Sequence, residues 1–342
     1  MAGIHPGEAA VLDAIDDDEI VRDLAELVAV PSVDGAPGER AAQQWCADRL
    51  TELGLRVDCW EIDLDAAQHH PDYPGMEVER SVATGGALGC VGVLGDEAVT
   101  PALALCGHTD VVPPGDPALW PRDPFTMHVE DDGVAWGRGT CDMKAGLVAA
   151  IGAVAAVRRS GVELAAPLAV HCVSAEEDGG LGAFATLRRG HTASTCVIAE
   201  PTSGDIVRAN AGSLTFRIEV PGRATHGSTR TRGVSAIEKF EVIHRALHDL
   251  EAARNAEKPD LFAHLDLPWP LSVGVVSAGD WASTVPDRLV AEGRYGVRPG
   301  ESLEVAVAAF EAAVSRAAAD DPWLADHPVR ISWPGGRFAP GA

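Results

Sequence analysis

Four short segments of this 342-residue chain carry side chains that bind metals or move protons. They are CGHTD, ending in His108 and Asp110; GRGTCDMKAG, holding Asp142; SAEEDGG, with Glu176 and Glu177; and VIAEP, with Glu200. Three of the four follow a short apolar run. PALALCGHTD, PLAVHCVSAEE and TCVIAE read as strands that deliver polar side chains at their carboxyl ends, where open α/β sheets gather ligands. An imidazole among carboxylates is a donor set for a divalent cation.

The residue types suggest a division of labour. His108 and Asp110 stand two apart, so in an extended segment both point to one side. A ligating histidine needs its second ring nitrogen held, commonly by a carboxylate, which makes His108 a ligand and Asp110 its orienter or a neighbour that tunes it. Asp142 lies in a glycine-rich turn, where its two oxygens can each take one cation. Glu176 and Glu177 are adjacent and point to opposite sides, so one can bind metal while the other handles protons. A desolvated glutamate suits the second task, so Glu176 is read as base and Glu177 as ligand. Glu200 directly follows the apolar TCVIA, and Pro201 ends that strand, which makes it a further ligand.

These segments need a scaffold. The length predicts two domains, and 46% apolar residues supply a core for each. With 51 acidic against 27 basic residues, the net charge of −24 argues against nucleic acid or an anionic membrane as partner. The uncharged run 145–157 is too short to span a bilayer and reads as a buried helix. The N-terminus lacks the basic end and apolar core of a signal peptide, so a cytoplasmic location is expected. Seven cysteines without a CxxC pair read as free thiols, several of them in apolar strands.

Helical spacing over 17–28 and 39–53, extended patterns over 55–62 and 85–95, and a loop over 63–80 predict an α/β first half. From about residue 210 the order changes. A strand over 214–220 precedes a helix opened by a Ser235–Glu238 capping box, with Ile237, Phe240, Ile243, Leu247 and Leu250 as its apolar stripe. Strands over 271–278 and 288–297, a helix over 303–319 and a strand over 328–333 complete β-α-β-β-α-β, the ferredoxin-like order.

GHTDVVP, GRGTCDMKAG, SAEEDGG and VIAEPT, followed by GRATHGS inside a βαββαβ insert, resemble the M20 family of dinuclear zinc amidohydrolases and peptidases, of the acetylornithine deacetylase and succinyl-diaminopimelate desuccinylase type. The resemblance covers essentially the whole chain. It implies a zinc-peptidase-like α/β catalytic domain over 1–208, a ferredoxin-like lid and dimerisation domain over 209–334, and a stub of return to the catalytic domain over 335–342. It implies hydrolysis of the amide bond of N-acyl amino acids or small peptides. Two Zn2+ ions per subunit are implied, with Co2+ able to substitute. One would be held by His108 and Glu200, the other by Glu177, with Asp142 bridging. Glu176 would be general base, and His226 of THGS would reach a partner's active site in a homodimer. Arg298 of GVRPG resembles an arginine that grips a substrate carboxylate.

The sequence also departs from the family. Ser283 stands where asparagine often precedes the VPD turn. No histidine after His327 is present to complete the Glu177 site, so the second metal is expected to bind weakly. The catalytic sheet is expected to expose an edge and an apolar face. The competing reading is a truncated, catalytically impaired protein that retains dimerisation. A nucleotide-binding oxidoreductase is not supported, because Gly86, Gly89 and Gly92 do not form GxGxxG.

Overall fold

The computed structural model describes residues 4–76, 78, 86–96 and 98–341. The chain forms two compact units, Met1–Ile206 and Val207–Ala342.

In the first unit, helices α1 (Pro6–Asp13), α2 (Asp17–Val28) and α3 (Gly38–Glu52) precede β1 (Arg56–Glu61), α4 (Leu64–Gln68) and β2 (Leu88–Leu94). Then come β3 (Leu103–His108), a short hairpin of β4 (His128–Val129) and β5 (Ala135–Trp136), α5 (Lys144–Ser160), β6 (Leu168–Val173), α6 (Leu181–Arg189) and β7 (Thr195–Ile198). The loop expected over 63–80 contains α4, capped by Asp63 accepting from the Ala66 amide; part of that stretch, and Gly85, lie outside the described residues.

The main sheet has the order β1-β2-β6-β3-β7. The β1–β2 and β2–β6 pairs are antiparallel, whereas β6–β3 and β3–β7 are parallel. Three neighbouring strands thus end at the same edge. The fully buried strand β6 (LAVHCV) sits at the centre, as a run that is apolar but for His171 requires. Helices α2, α3 and α5 cover one face, packing Leu27, Leu50, Leu147 and Ile151 against Val170 and Cys172. Each such aliphatic side chain contributes about 1.5–3 kcal/mol on burial. Strand β7 is an edge strand, and all four of its residues are exposed. Val197 and Ile198 are among them.

The second unit runs β8 (Gly212–Pro221), α7 (Ala236–Asn255), β9 (Leu271–Ala278), β10 (Arg288–Val297), α8 (Leu303–Ala319) and β11 (Arg330–Phe338). Its antiparallel sheet has the order β11-β8-β10-β9, which for β-α-β-β-α-β connectivity is the ferredoxin-like arrangement. Phe216, Ile218 and Val220 of β8 meet Ile243 and Leu247 of α7 and Phe310 and Val314 of α8.

Three expectations change here. Ile237 is 46% exposed, and Ala236 takes the buried place at the start of the α7 stripe. The capping box closes only halfway: Ser235 Oγ accepts from the Glu238 amide at 3.5 Å, but the Glu238 carboxylate takes Arg230 at 2.6 Å instead of the Ser235 amide. Residues 335–341 are not a stub returning to the first unit. Strand β11 passes through Gly335 and Gly336 with register shifts, pairs Phe338 with Ser213, and is followed by a bridge from Gly341 to Asn210. A glycine pair absorbs a bulge at low cost, so the ladder resumes beyond residue 333, where the last strand was expected to end.

Candidate metal centre

The parallel trio β6-β3-β7 decides what can meet. His108 is the last residue of β3. Beyond it, the Thr109 amide donates to Val173 O at 2.9 Å, extending the pairing with β6. Ser32 Oγ donates to Thr109 O at 2.6 Å, and Gln43 Nε2 donates to Thr109 Oγ1 at 2.9 Å. Thr109 is therefore pinned on its carbonyl, amide and hydroxyl, and it fixes the segment between His108 and Asp110. Past β6, Ala175 adopts φ 55°, in the left-handed region rarely taken by residues other than glycine, and turns the chain just before Glu176.

Asp142 arrives from the turn before α5. That helix is anchored by Lys144, which is fully buried and donates from Nζ to Leu27 O and Val30 O, each at 2.9 Å. Two turns of sequence logic meet there: a cation at the C-terminal end of α2 and the start of the helix that follows Asp142. Gly146 lets α5 lie against the end of β7, since a Cβ there would stand 2.1 Å from Ala199 O, next to Glu200.

The donors converge. His108 Nε2 lies 3.1 Å from Asp142 Oδ1 and 3.9 Å from Glu200 Oε1. One donor group comprises His108, Asp142 and Glu177, and another His108, Glu176 and Glu200, with the ligand atoms of each within 4.8 Å of one another. All five residues singled out as ligands or base are thus brought together from three strand ends and a helix start.

Asp110 plays a different part from the one its spacing suggests. His108 Nδ1 donates to the Asp110 backbone carbonyl at 2.9 Å, while the carboxylate Oδ1 is 3.8 Å away. The strand ends at His108, so the two side chains no longer follow a pleat. Asp110 is fully buried, and its Oδ2 accepts from the Glu177 amide at 3.0 Å. It fixes Glu177 through the backbone and His108 through its own carbonyl.

The electrostatics fit a cation. Burial works against charge on His108, but Asp142 at its Nε2 and the charges of Asp110, Glu176 and Glu200 outweigh this and hold its pKa up to about 10. Asp142 is held below the usual carboxylate range by the His108 bond. Burial, with the neighbouring carboxylates, pushes Glu176 and Glu200 up and takes Glu177 to about 7. Four crowded carboxylates and one imidazole, partly buried, are the donors that a divalent cation neutralises.

Two expected site residues belong to the second unit. His226 is exposed and caps a 3-10 turn; its Nδ1 accepts from the Ser228 amide at 3.2 Å, which leaves Nε2 as the protonated nitrogen. The Gly227 amide donates to Ser283 O at 2.6 Å, so the residue at the asparagine position braces that turn through its backbone. Arg298 is tied into its own unit: its guanidinium donates to Arg254 O, and its amide to Glu301. His327 stacks on Trp323 at 3.5 Å. Sequence reasoning missed Lys144, Thr109 and Gln43. A lysine at the head of the apolar run 145–157 was the one available signal.

Comparison with known proteins gives the family and the fold. The model of peptidase family M20/M25/M40 matches residues 104–331. The chain is 29% identical over 305 residues to N-formyl-4-amino-5-aminomethyl-2-methylpyrimidine deformylase of Bacillus subtilis (strain 168), covering 86% of this chain and 66% of that protein. It is 35% identical over 204 residues to succinyl-diaminopimelate desuccinylase of Gluconacetobacter diazotrophicus, covering 56% of this chain and 50% of that protein. The chain therefore spans from half to just under two thirds of the length of these relatives. Among solved structures, the di-peptidase Dug1p of Saccharomyces cerevisiae superposes with a TM-score of 0.74 at 15% identity, covering 98% of this chain and 80% of that one. Human carnosine dipeptidase 1 gives 0.69 at 18% identity, covering 99% and 81%. These structural likenesses speak to the fold, and the family match spans the strands that carry His108, Glu176, Glu177 and Glu200. The chain is a member of peptidase family M20/M25/M40.

Proposed function

We propose that the protein is a zinc-dependent hydrolase of the amide bond in small N-acyl amino acids or peptides, acting as a cytoplasmic homodimer. The observation that carries the reading is the convergence of His108, Asp142, Glu176, Glu177 and Glu200. His108, Asp142 and Glu200 would hold one Zn2+, and Asp142 with Glu177 would contribute to a second, with Co2+ as a substitute. When bound, the cation supplies Lewis acidity to the scissile carbonyl and the attacking water.

The chain's own residues do the rest. Glu176 is desolvated and its pKa is raised, which suits a base that takes a proton from water and returns one to the leaving amine. Asp110 positions both His108 and Glu177. His226, with its protonated Nε2 exposed, is suited to donate to the carbonyl oxygen as charge develops on it, in the active site of a second copy. Arg298 would grip a substrate carboxylate with the donors left over from its guanidinium bond to Arg254 O. For dimerisation, β9 offers an edge of the second sheet on which Val275 and Val276 are exposed. The names of the relatives, a deformylase and a desuccinylase, favour removal of a small acyl group. No helix among the described residues is long and apolar enough to cross a membrane.

The test is hydrolysis of N-formyl, N-acetyl and N-succinyl amino acids and dipeptides by the purified chain with zinc or cobalt, beside Glu176→Ala. Turnover that needs both the metal and Glu176 is expected, from a species of twice the chain mass by light scattering. A folded dimer with no turnover on any substrate would favour a dimerising protein without catalysis.

A further inference from the structure

A polar cavity lies in the first unit, away from the metal centre. Arg56, Val93 and Ala169 form one row across β1, β2 and β6, and Asp58, Val91 and His171 form the next on the same face. Over these rows lies a cavity of about 190 Å³, well above the volume that one water needs. Val91, Val93 and Ala169 are its buried floor, and Arg56, Thr100, His171, His191 and Thr192 are polar residues that line it. Thr100 precedes β3, and Ala169 is the second residue of β6, so the cavity stands at the amino ends of strands whose carboxyl ends lead to His108 and Glu176. Its walls are joined, since the Ser194 amide donates to Pro101 O at 2.9 Å.

One lining group is unmatched. His171 is 6% exposed, and its Nε2 has no hydrogen-bond partner among the described residues. A buried nitrogen left so has lost its water without compensation, which calls for a ligand or ordered solvent in the cavity. Beside it, the His191 ring centre is 6.4 Å away, and His191 Nε2 donates to Asp58 Oδ2 at 2.9 Å. The same carboxylate accepts from Arg189 Nε at 2.7 Å and Nη2 at 2.9 Å. Arg189 thus neutralises Asp58, and no carboxylate is among the described residues that line the cavity. What remains is a guanidinium, two imidazoles and two threonines over an apolar floor. In a chain of net charge −24 this is a local reversal of sign, built from hydrogen-bond donors.

We propose that this cavity is a binding site for a small oxyanion, a phosphate or a short carboxylate, held by His171, His191 and Arg56. Arg56 supplies fixed charge in a planar fork that matches two oxygens of either group. Burial first, then His191, hold the His171 pKa down to about 4, so the ring is neutral and keeps one N–H to donate. Thr100 and Thr192 add hydroxyl donors. Two imidazoles alone would also suit a transition metal, but a guanidinium in the same lining repels a cation. The site requires neither the metal centre nor the proposed hydrolysis.

The full chain, in a buffer free of phosphate and carboxylates, is titrated in turn with inorganic phosphate, acetate and succinate while its histidine ring signals are followed by proton–nitrogen NMR. The His171 and His191 signals are expected to shift saturably with at least one of the three. The order of affinities then tells a phosphate site from a carboxylate site. His171→Phe keeps the ring bulk and removes both nitrogens, and it should weaken binding about tenfold or more, read by calorimetry. Arg56→Met, at the exposed start of β1, should weaken it to a similar degree and guards against a folding defect at the buried position. No saturable shift with any anion, or affinities in folded variants equal to the parent's, overturns the proposal. A shift confined to His108 would put the anion at the metal centre, and one produced by zinc but by no anion would make the imidazole pair a metal site. Either result also overturns it.

Discussion

His108 Nε2 and Asp142 Oδ1 lie 3.1 Å apart across a separation of 34 residues. One residue closes a strand and the other opens a helix, and their contact joins the two donor groups of the centre. Asp142→Asn keeps the shape but removes the charge and one bridging oxygen. Its zinc affinity is expected to fall by more than the roughly 10–100-fold typical of outer-shell changes. Equilibrium dialysis checks this, and an unaltered affinity would remove Asp142 from the ligand set.

Glu177 predicts a pH effect on the metal-free chain. Burial first, then Asp142, raise its pKa from 4.5 to about 7. A folded-state pKa above the unfolded one contributes stability fully present below pH 4.5 and lost as pH rises through about 7. Thermal stability of the metal-free protein is therefore expected to decline across that window. Glu177→Gln should flatten the decline, and a parallel pH profile for parent and variant would refute the assignment.

Lys144→Met retains the aliphatic stem but removes the Nζ bonds to Leu27 O and Val30 O, which keep only the Val30 and Ser32 amides. Loss of charge-assisted bonds to buried carbonyls predicts a cost of about 3 kcal/mol, read from urea denaturation. Because α5 carries the Asp142 turn, zinc affinity should weaken in the same variant while it remains folded.

Gly146→Ala places a methyl group 2.1 Å from the Ala199 carbonyl oxygen, so helix and strand end must separate. About 1–3 kcal/mol of stability should be lost, together with metal affinity, because Glu200 follows Ala199. Gly274→Ala, with nothing within 4 Å, should stay within about 0.5 kcal/mol of the parent. Equal effects in the two variants would rule out close packing as the cause.

In the second unit, buried Arg254 bonds Glu301 at 2.9 and 2.6 Å and Gly296 O at 3.0 Å. It also lies 4.6 Å over the Tyr295 ring. Arg254→Ala leaves Glu301 with only the Arg298 amide as donor and should cost about 3–5 kcal/mol. Arg254→Met combined with Glu301→Leu should recover much of that loss, as a double-mutant cycle by chemical denaturation would show.

Local pattern carried much of this molecule. The bounds of α2, β9, β10 and α8 coincide with the periodic runs that predicted them, because alternation and helical spacing record which side of an element faces a core. The residues that cluster, His108, Asp142, Glu176, Glu177 and Glu200, were legible as well, since four of them follow apolar runs and Asp142 stands in a glycine-rich turn. Tertiary structure alone decided the rest. Only the pairing order β6-β3-β7 brings three strand ends to one edge, and a strand's sequence does not state its neighbour. Asp110 serves His108 through a carbonyl because the strand ends at His108, Ala236 rather than Ile237 takes the buried place on α7, and β11 continues through Gly335 and Gly336 because β8 pairs with it. Lys144 makes the same point: its partners lie more than a hundred residues away, and no spacing rule encodes a bond of that range.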